Sequence, residues 1–173
     1  MAFFRRIFLK IHLRFAMYIL KQLNEILLKT PVIIGIGNEM RGDDGAGIEI
    51  IKRLQKNGIS NTLAVYSTPE NYLHKIAIMP GNVRLWIDII NWNGEPGETK
   101  IFDTDTISHY AISTHNFSLV VIINFLKEIK NVKDYFLGIQ PQNLTLGDPI
   151  SRPVSKTVDI LVEYIITHMK NEK

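Results

Sequence analysis

Cysteine is absent from the 173-residue chain. A chain without a thiol forms no disulfide, has no thiolate nucleophile and offers no ligand to a Cys-bound zinc or iron–sulfur site. Three catalytic signatures are missing as well: G-x-x-x-x-G-K-[ST], G-x-S-x-G and H-E-x-x-H. Standard P-loop, nucleophile-elbow and zincin mechanisms therefore lose their support. Long apolar runs are lacking in the N-terminal segment, where the longest, Phe15 to Leu20, is six residues. A bilayer span needs about 20 and a signal-peptide core about 7 to 15, so neither secretion nor a transmembrane anchor is expected. Hydrophobic residues at 46% and charged residues at 21% lie near the averages for globular chains, which excludes extensive disorder.

An excess of one charge sign is also lacking once position is considered. Of 20 basic and 17 acidic residues, residues 1–30 hold six (Arg5, Arg6, Lys10, Arg14, Lys21, Lys29) and one (Glu25), leaving 14 and 16 for the other 143. The net charge of +3 is thus a +5 segment attached to a −2 body. No Lys/Arg block interleaved with aromatics tracks a phosphate backbone, so nucleic acid is not expected as a partner.

What is present begins with an amphipathic stripe. Phe4, Ile7, Phe8, Ile11, Phe15, Tyr18, Ile19, Leu23, Ile26 and Leu27 recur at spacings of three and four, predicting one helix over residues 3 to 28 with a basic polar face. Residues 1–30 read as an extension and residues 31–173 as one domain. Three readings of the extension stand open: a helix docked on the domain or an oligomer partner, an artificial stretch upstream of a start such as Met17, and a helix making weak contact with a lipid surface. Stable membrane insertion is not expected.

From Pro31 onward, short apolar runs alternate with helical stripes. Strands are predicted at Val32 to Ile36, Leu63 to Tyr66, Val83 to Ile90, Thr99 to Phe102 and Tyr135 to Ile139. Helices are predicted at about Asp44 to Lys56, Asn71 to Met79, Asn116 to Lys130 and Pro153 to Met169, and a turn at Asn93 to Gly97. Such alternation implies an α/β fold with three α/β/α layers and a mostly parallel twisted sheet. Sites in such sheets lie beyond the carboxyl ends of the strands. Three polar clusters fall there: Gly37 to Gly45, Asp88 to Asn91, and Ser113 to Asn116.

Gly35-Ile36-Gly37-Asn38 opens like a dinucleotide fingerprint, but the next glycine is Gly42 and Asp43-Asp44 would face the pyrophosphate, so nucleotide binding is not expected. Taken singly, Asp43 and Asp44 read as helix caps. Asp88 lies inside Leu85-Trp86-Ile87-Asp88-Ile89-Ile90, where a carboxylate must be paired or liganded, or else caps a turn with Asn91. His115 follows Ser113-Thr114, which could cap the next helix. Together Asp44, Asp88 and His115 form a set of carboxylate and imidazole groups from three strand-end loops, suited to a divalent metal such as nickel or zinc or to positioning a water.

The stretch Gly35-Ile36-Gly37-Asn38-Glu39-Met40-Arg41-Gly42-Asp43-Asp44-Gly45-Ala46-Gly47 resembles the nickel–iron hydrogenase maturation endopeptidases, especially those processing the formate hydrogenlyase (hydrogenase 3) large subunit. Pro69-Glu70-Asn71, the strand ending at Asp88, Asn93 to Lys100, Thr114-His115-Asn116 and Phe136-Leu137-Gly138-Ile139-Gln140-Pro141 extend the resemblance over roughly residues 32 to 168. It implies a phosphorylase/hydrolase-like α/β/α domain acting as a cytoplasmic, aspartic-type endopeptidase. The implied substrate is a nickel–iron hydrogenase large-subunit precursor, cut at its C-terminus after nickel insertion. It further implies that Asp44, Asp88 and His115 contact nickel carried by the substrate; of these residues Asp44 is the candidate general base, and Asp43 is expected in a supporting or capping role. A noncatalytic nickel-binding assembly factor of the same hydrogenase is the alternative, and a generic metallopeptidase the third reading. Where the family carries a glycine pair before Pro-Glu-Asn, this chain has Val65-Tyr66-Ser67-Thr68, predicting a backbone restricted to ordinary φ values there.

Overall fold

Strand β1 (Pro31–Ile36) is buried at all six positions and β3 (Val83–Ile89) at all seven. Such runs are apolar without alternation because both faces of an interior parallel strand are covered. The computed structural model describes residues 17–103 and 116–170. With β2 (Thr62–Tyr66), β4 (Thr99–Asp103) and β5 (Lys133–Ile139), the strands form a five-stranded sheet of order β2-β1-β3-β5-β4. All neighbours are parallel except β4, which runs antiparallel to β5 along one edge.

Helices α2 (Ala46–Lys56), α3 (Leu73–Ile78), α4 (Asn116–Ile129) and α5 (Arg152–Lys170) cover the sheet. Alternate residues of each strand supply two separate cores, as the pleat requires. Ile33, Leu85, Ile87, Leu137 and Ile139 pack with Ile50, Ile51 and Leu54 of α2 and Val158, Leu161 and Ile165 of α5. Ile34, Ile36, Trp86 and Phe136 pack with Ile76 of α3 and Leu119, Ile123 and Leu126 of α4. The expected three-layer α/β/α arrangement follows directly from these two clusters.

Residues 17–27 form helix α1, and the earlier part of the predicted helix lies outside the described residues. Leu23, Ile26 and Leu27 join the core shared by α2 and α5, while the Tyr164 hydroxyl donates to the Leu20 carbonyl at 2.9 Å. This stretch is therefore docked on the domain. Among the described residues no helix is long and apolar enough to cross a membrane.

Two boundaries differ from the periodicity reading. α2 begins at Ala46 because Gly42–Gly45 forms a separate 3-10 turn. The predicted helix near Asn71 divides into a 3-10 turn, Pro69–Tyr72, and the short α3. In both cases the tighter turn extends the helical stripe in sequence and redirects the chain at the sheet's carboxyl edge.

Candidate active site

Strand order reverses between β1 and β3, since β2 lies to one side of β1 and the later strands to the other. The crevice beyond their carboxyl ends is a topological switch point, where open α/β sheets accept ligands. Two glycines bring the acidic turn into it. A Cβ on Gly37 (φ 141) would lie 1.8 Å from the Asp44 carbonyl oxygen, and one on Gly47 would lie 2.3 Å from the Ile36 oxygen and 2.7 Å from the Ile87 oxygen. Only a residue without a side chain permits either approach. The Asn38 N–H then donates to the Asp44 carbonyl at 3.1 Å and closes the loop.

Asp88 sits at the penultimate position of β3, 3% exposed, on the strand face that also carries Trp86. The Ile89 N–H donates to its Oδ1 at 2.8 Å. Burial first, and the charge of Asp44 second, push the Asp88 pKa from 3.8 to about 8, against the opposing pull of the Ile89 hydrogen bond. A buried carboxyl beside a second carboxylate holds a proton readily and exchanges it for a cation readily. Asp44 itself is half-buried and engaged in interactions. His115, the third expected contact, lies outside the described residues, one residue before α4. Among the described residues no group of three His, Cys, Asp or Glu side chains could hold a metal, so Asp44 and Asp88 are the part of the expected set that the structure brings together.

Asp43 departs from the capping expectation. No side chain caps either the 3-10 turn or α2. The Asp43 carboxylate is fully buried and faces away from the turn, toward the loop after β5. Its Oδ2 accepts the N–H groups of Gln142 and Asn143 at 2.7 and 2.9 Å and the Ser151 hydroxyl at 3.0 Å, while Oδ1 accepts the Ser151 N–H at 2.6 Å. Four donors to one carboxylate fasten two loops about a hundred residues apart.

Gln140, which the sequence places in a shared motif without a role, does the same for the loop after β3. Its Oε1 accepts the Trp92 and Gly94 N–H groups at 2.9 and 3.2 Å, and its Nε2 donates to Asn91 Oδ1 at 3.0 Å. The expected turn at Asn93 to Gly97 is present, with positive φ at both ends, 60° and 83°. A buried amide at the end of a strand was the available signal, since its donors and acceptor must all be met.

A family profile described as HycI, hydrogenase maturation protease, matches residues 48–168. The chain belongs to the hydrogenase maturation protease family. It is 33% identical over 138 residues to the hydrogenase 3 maturation protease of Escherichia coli K12, covering 78% of this chain and 87% of that protein. Its structure resembles the crystal structure of the NiFe hydrogenase maturation protease HycI from Thermococcus kodakarensis KOD1, with a TM-score of 0.78 and 30% identity, covering 86% and 99% of the two chains. The E. coli hydrogenase-maturating endopeptidase HybD, at 17% identity and a TM-score of 0.67 over 81% of this chain and 91% of that one, shares the fold.

Within this maturation-protease domain, the missing glycine pair has a consequence opposite to the one expected. Tyr66 adopts φ 53 although it is not glycine, and the β1–β2 register shifts where Ile36 meets it. Tyr66 thus sits in the left-handed region, at a strain of about 1 to 2 kcal/mol.

Proposed function

We propose that the protein removes a C-terminal peptide from the precursor of a nickel–iron hydrogenase large subunit after nickel insertion, in the cytoplasm, and that it recognises the nickel already carried by that precursor. The observation that carries this reading is the pairing of Asp44 with the buried Asp88. A buried carboxyl whose proton affinity is raised by burial and by a neighbouring carboxylate is poised to give up its proton when a cation arrives.

Asp44, Asp88 and His115 are the contacts to the substrate's nickel. Carboxylate and imidazole donors suit a divalent transition metal and leave room in its coordination sphere for the precursor's own ligands. Nickel is thus part of the substrate, and this cysteine-free chain meets it through oxygen and nitrogen alone. Once the precursor is seated, its scissile peptide lies along the β1/β3 crevice. Asp44 takes a proton from water as the water oxygen attacks the peptide carbonyl, and returns it to the departing amine, which makes the chemistry aspartic-type.

Incubation of the protein with a nickel-loaded large-subunit precursor is expected to release a C-terminal peptide, detected by mass spectrometry. Asp44→Ala, Asp88→Ala and His115→Ala are each expected to abolish release while remaining folded by circular dichroism. Full activity in all three overturns the assignment. Tight stoichiometric nickel binding by the isolated protein without cleavage identifies an assembly factor instead.

A further inference from the structure

The loop between β1 and α2 and the loop between β5 and α5 are joined like a zip. The Gly147 N–H donates to the Met40 carbonyl at 2.7 Å, the Gly42 N–H to the Asp148 carbonyl at 3.1 Å and the Asp43 N–H to the Asn143 carbonyl at 2.9 Å. The four bonds to the Asp43 carboxylate lie under the same pair of loops. Inside the second loop, Asn143 Oδ1 accepts the Thr145 N–H and hydroxyl at 2.9 and 2.6 Å, and its Nδ2 reaches Asp148. A surface loop with so many internal bonds is rigid, yet this pair exposes apolar side chains: Leu146 at 71%, Met40 at 65% and Leu144 at 38%. Surface loops are normally polar, and three exposed apolar side chains on one immobilised pair of loops indicate a binding surface.

Resting on the proposed endopeptidase reading, we propose that Met40, Leu144 and Leu146 form a docking ledge that binds an apolar stretch of the precursor beside its scissile bond. The occupant follows from continuity with the site. Met40 is four residues before Asp44 on the same loop, and Asp43, the anchor of the ledge, is the immediate neighbour of Asp44. A polypeptide that brings its scissile bond to Asp44 and Asp88 must lie across one of the loops flanking the crevice. A preformed ledge seats it without the ordering cost that mobile loops impose, and rigidity keeps the cut in register.

The ledge makes a specific prediction about recognition as distinct from chemistry. Met40→Ser/Leu146→Ser alters only exposed side chains, so folding is preserved. Its effect is expected on precursor binding, with KM for the nickel-loaded precursor rising about tenfold or more and kcat staying within about twofold. Dissociation constants for a nickel-loaded precursor with a non-hydrolysable scissile bond, measured by surface plasmon resonance in the otherwise native chain, are expected to rise by the same factor. Ile160→Ser, also an exposed apolar residue (57%) but on α5, is expected to change neither value. Unchanged affinity in the double variant, or an equal loss in Ile160→Ser, overturns the ledge. Should the otherwise native chain fail to cleave, the endopeptidase reading falls and the affinity comparison still decides the ledge; absence of any binding overturns both.

Discussion

Asp44 sets the charge environment of Asp88: its carboxylate, after burial, is the second reason that Asp88 holds its proton up to about pH 8. The relationship has a thermodynamic sign. Below the unfolded pKa near 3.8 the carboxyl is neutral in both states. Between there and about 8 the unfolded chain releases the proton and the folded chain retains it, so stability falls across that window and levels off above it.

Asp88→Asn removes this penalty while its amide oxygen still accepts the Ile89 N–H. The variant is expected to be more stable than the native chain by up to roughly 5 kcal/mol above pH 8. The advantage should shrink to nothing near pH 4, while precursor processing is lost. Denaturant unfolding at several pH values measures it, and a pH-independent difference contradicts the assignment.

Asp43→Asn presents an amide N–H₂ to a site built from four donors. At least one buried N–H loses its acceptor, at a cost of about 2 kcal/mol or more. Hydrogen exchange is expected to accelerate at Gln142, Asn143 and Ser151 before it does elsewhere in the domain; unchanged protection there contradicts the stapling role.

Tyr66→Gly is expected to be more stable than Tyr66→Ala by about 1 kcal/mol, reversing the usual order in a strand, because only glycine enters the left-handed region without strain. Thermal unfolding of the two variants side by side tests it. Equal stability means that the positive φ is not held in solution.

At the opposite end of the sheet from the site, Arg84 makes a two-pronged pair with Asp134 at 2.7 and 2.9 Å, both side chains being almost fully buried, and the Trp86 indole N–H donates to the same carboxylate at 2.7 Å. Asp134→Ala strands the guanidinium and is expected to cost about 3 to 5 kcal/mol, with processing by the folded fraction unchanged. A selective loss of processing would instead couple this pair to the crevice.

These sites differ in how far they could be read from the chain. β1 and β3 were legible because interior parallel strands are continuous apolar runs, and Asp88 stood out because it interrupts one. Asp44 and Asp43 looked alike, since both are acids at a helix start. Their separation depends on Gln142, Asn143 and Ser151, which reach Asp43 only after the sheet has closed. Arg84 and Asp134 are directly paired in the β3–β5 register, a relationship fixed by strand order and invisible to periodicity. Tyr66 took its conformation from the bulge against Ile36, overriding a preference that local residue type alone predicted.

Cleavage of one precursor preparation divided into nickel-loaded and nickel-free halves tests the central claim most directly. Recognition of the substrate's metal by Asp44, Asp88 and His115 predicts release of the C-terminal peptide from the loaded half alone. Equal release from both halves would contradict it.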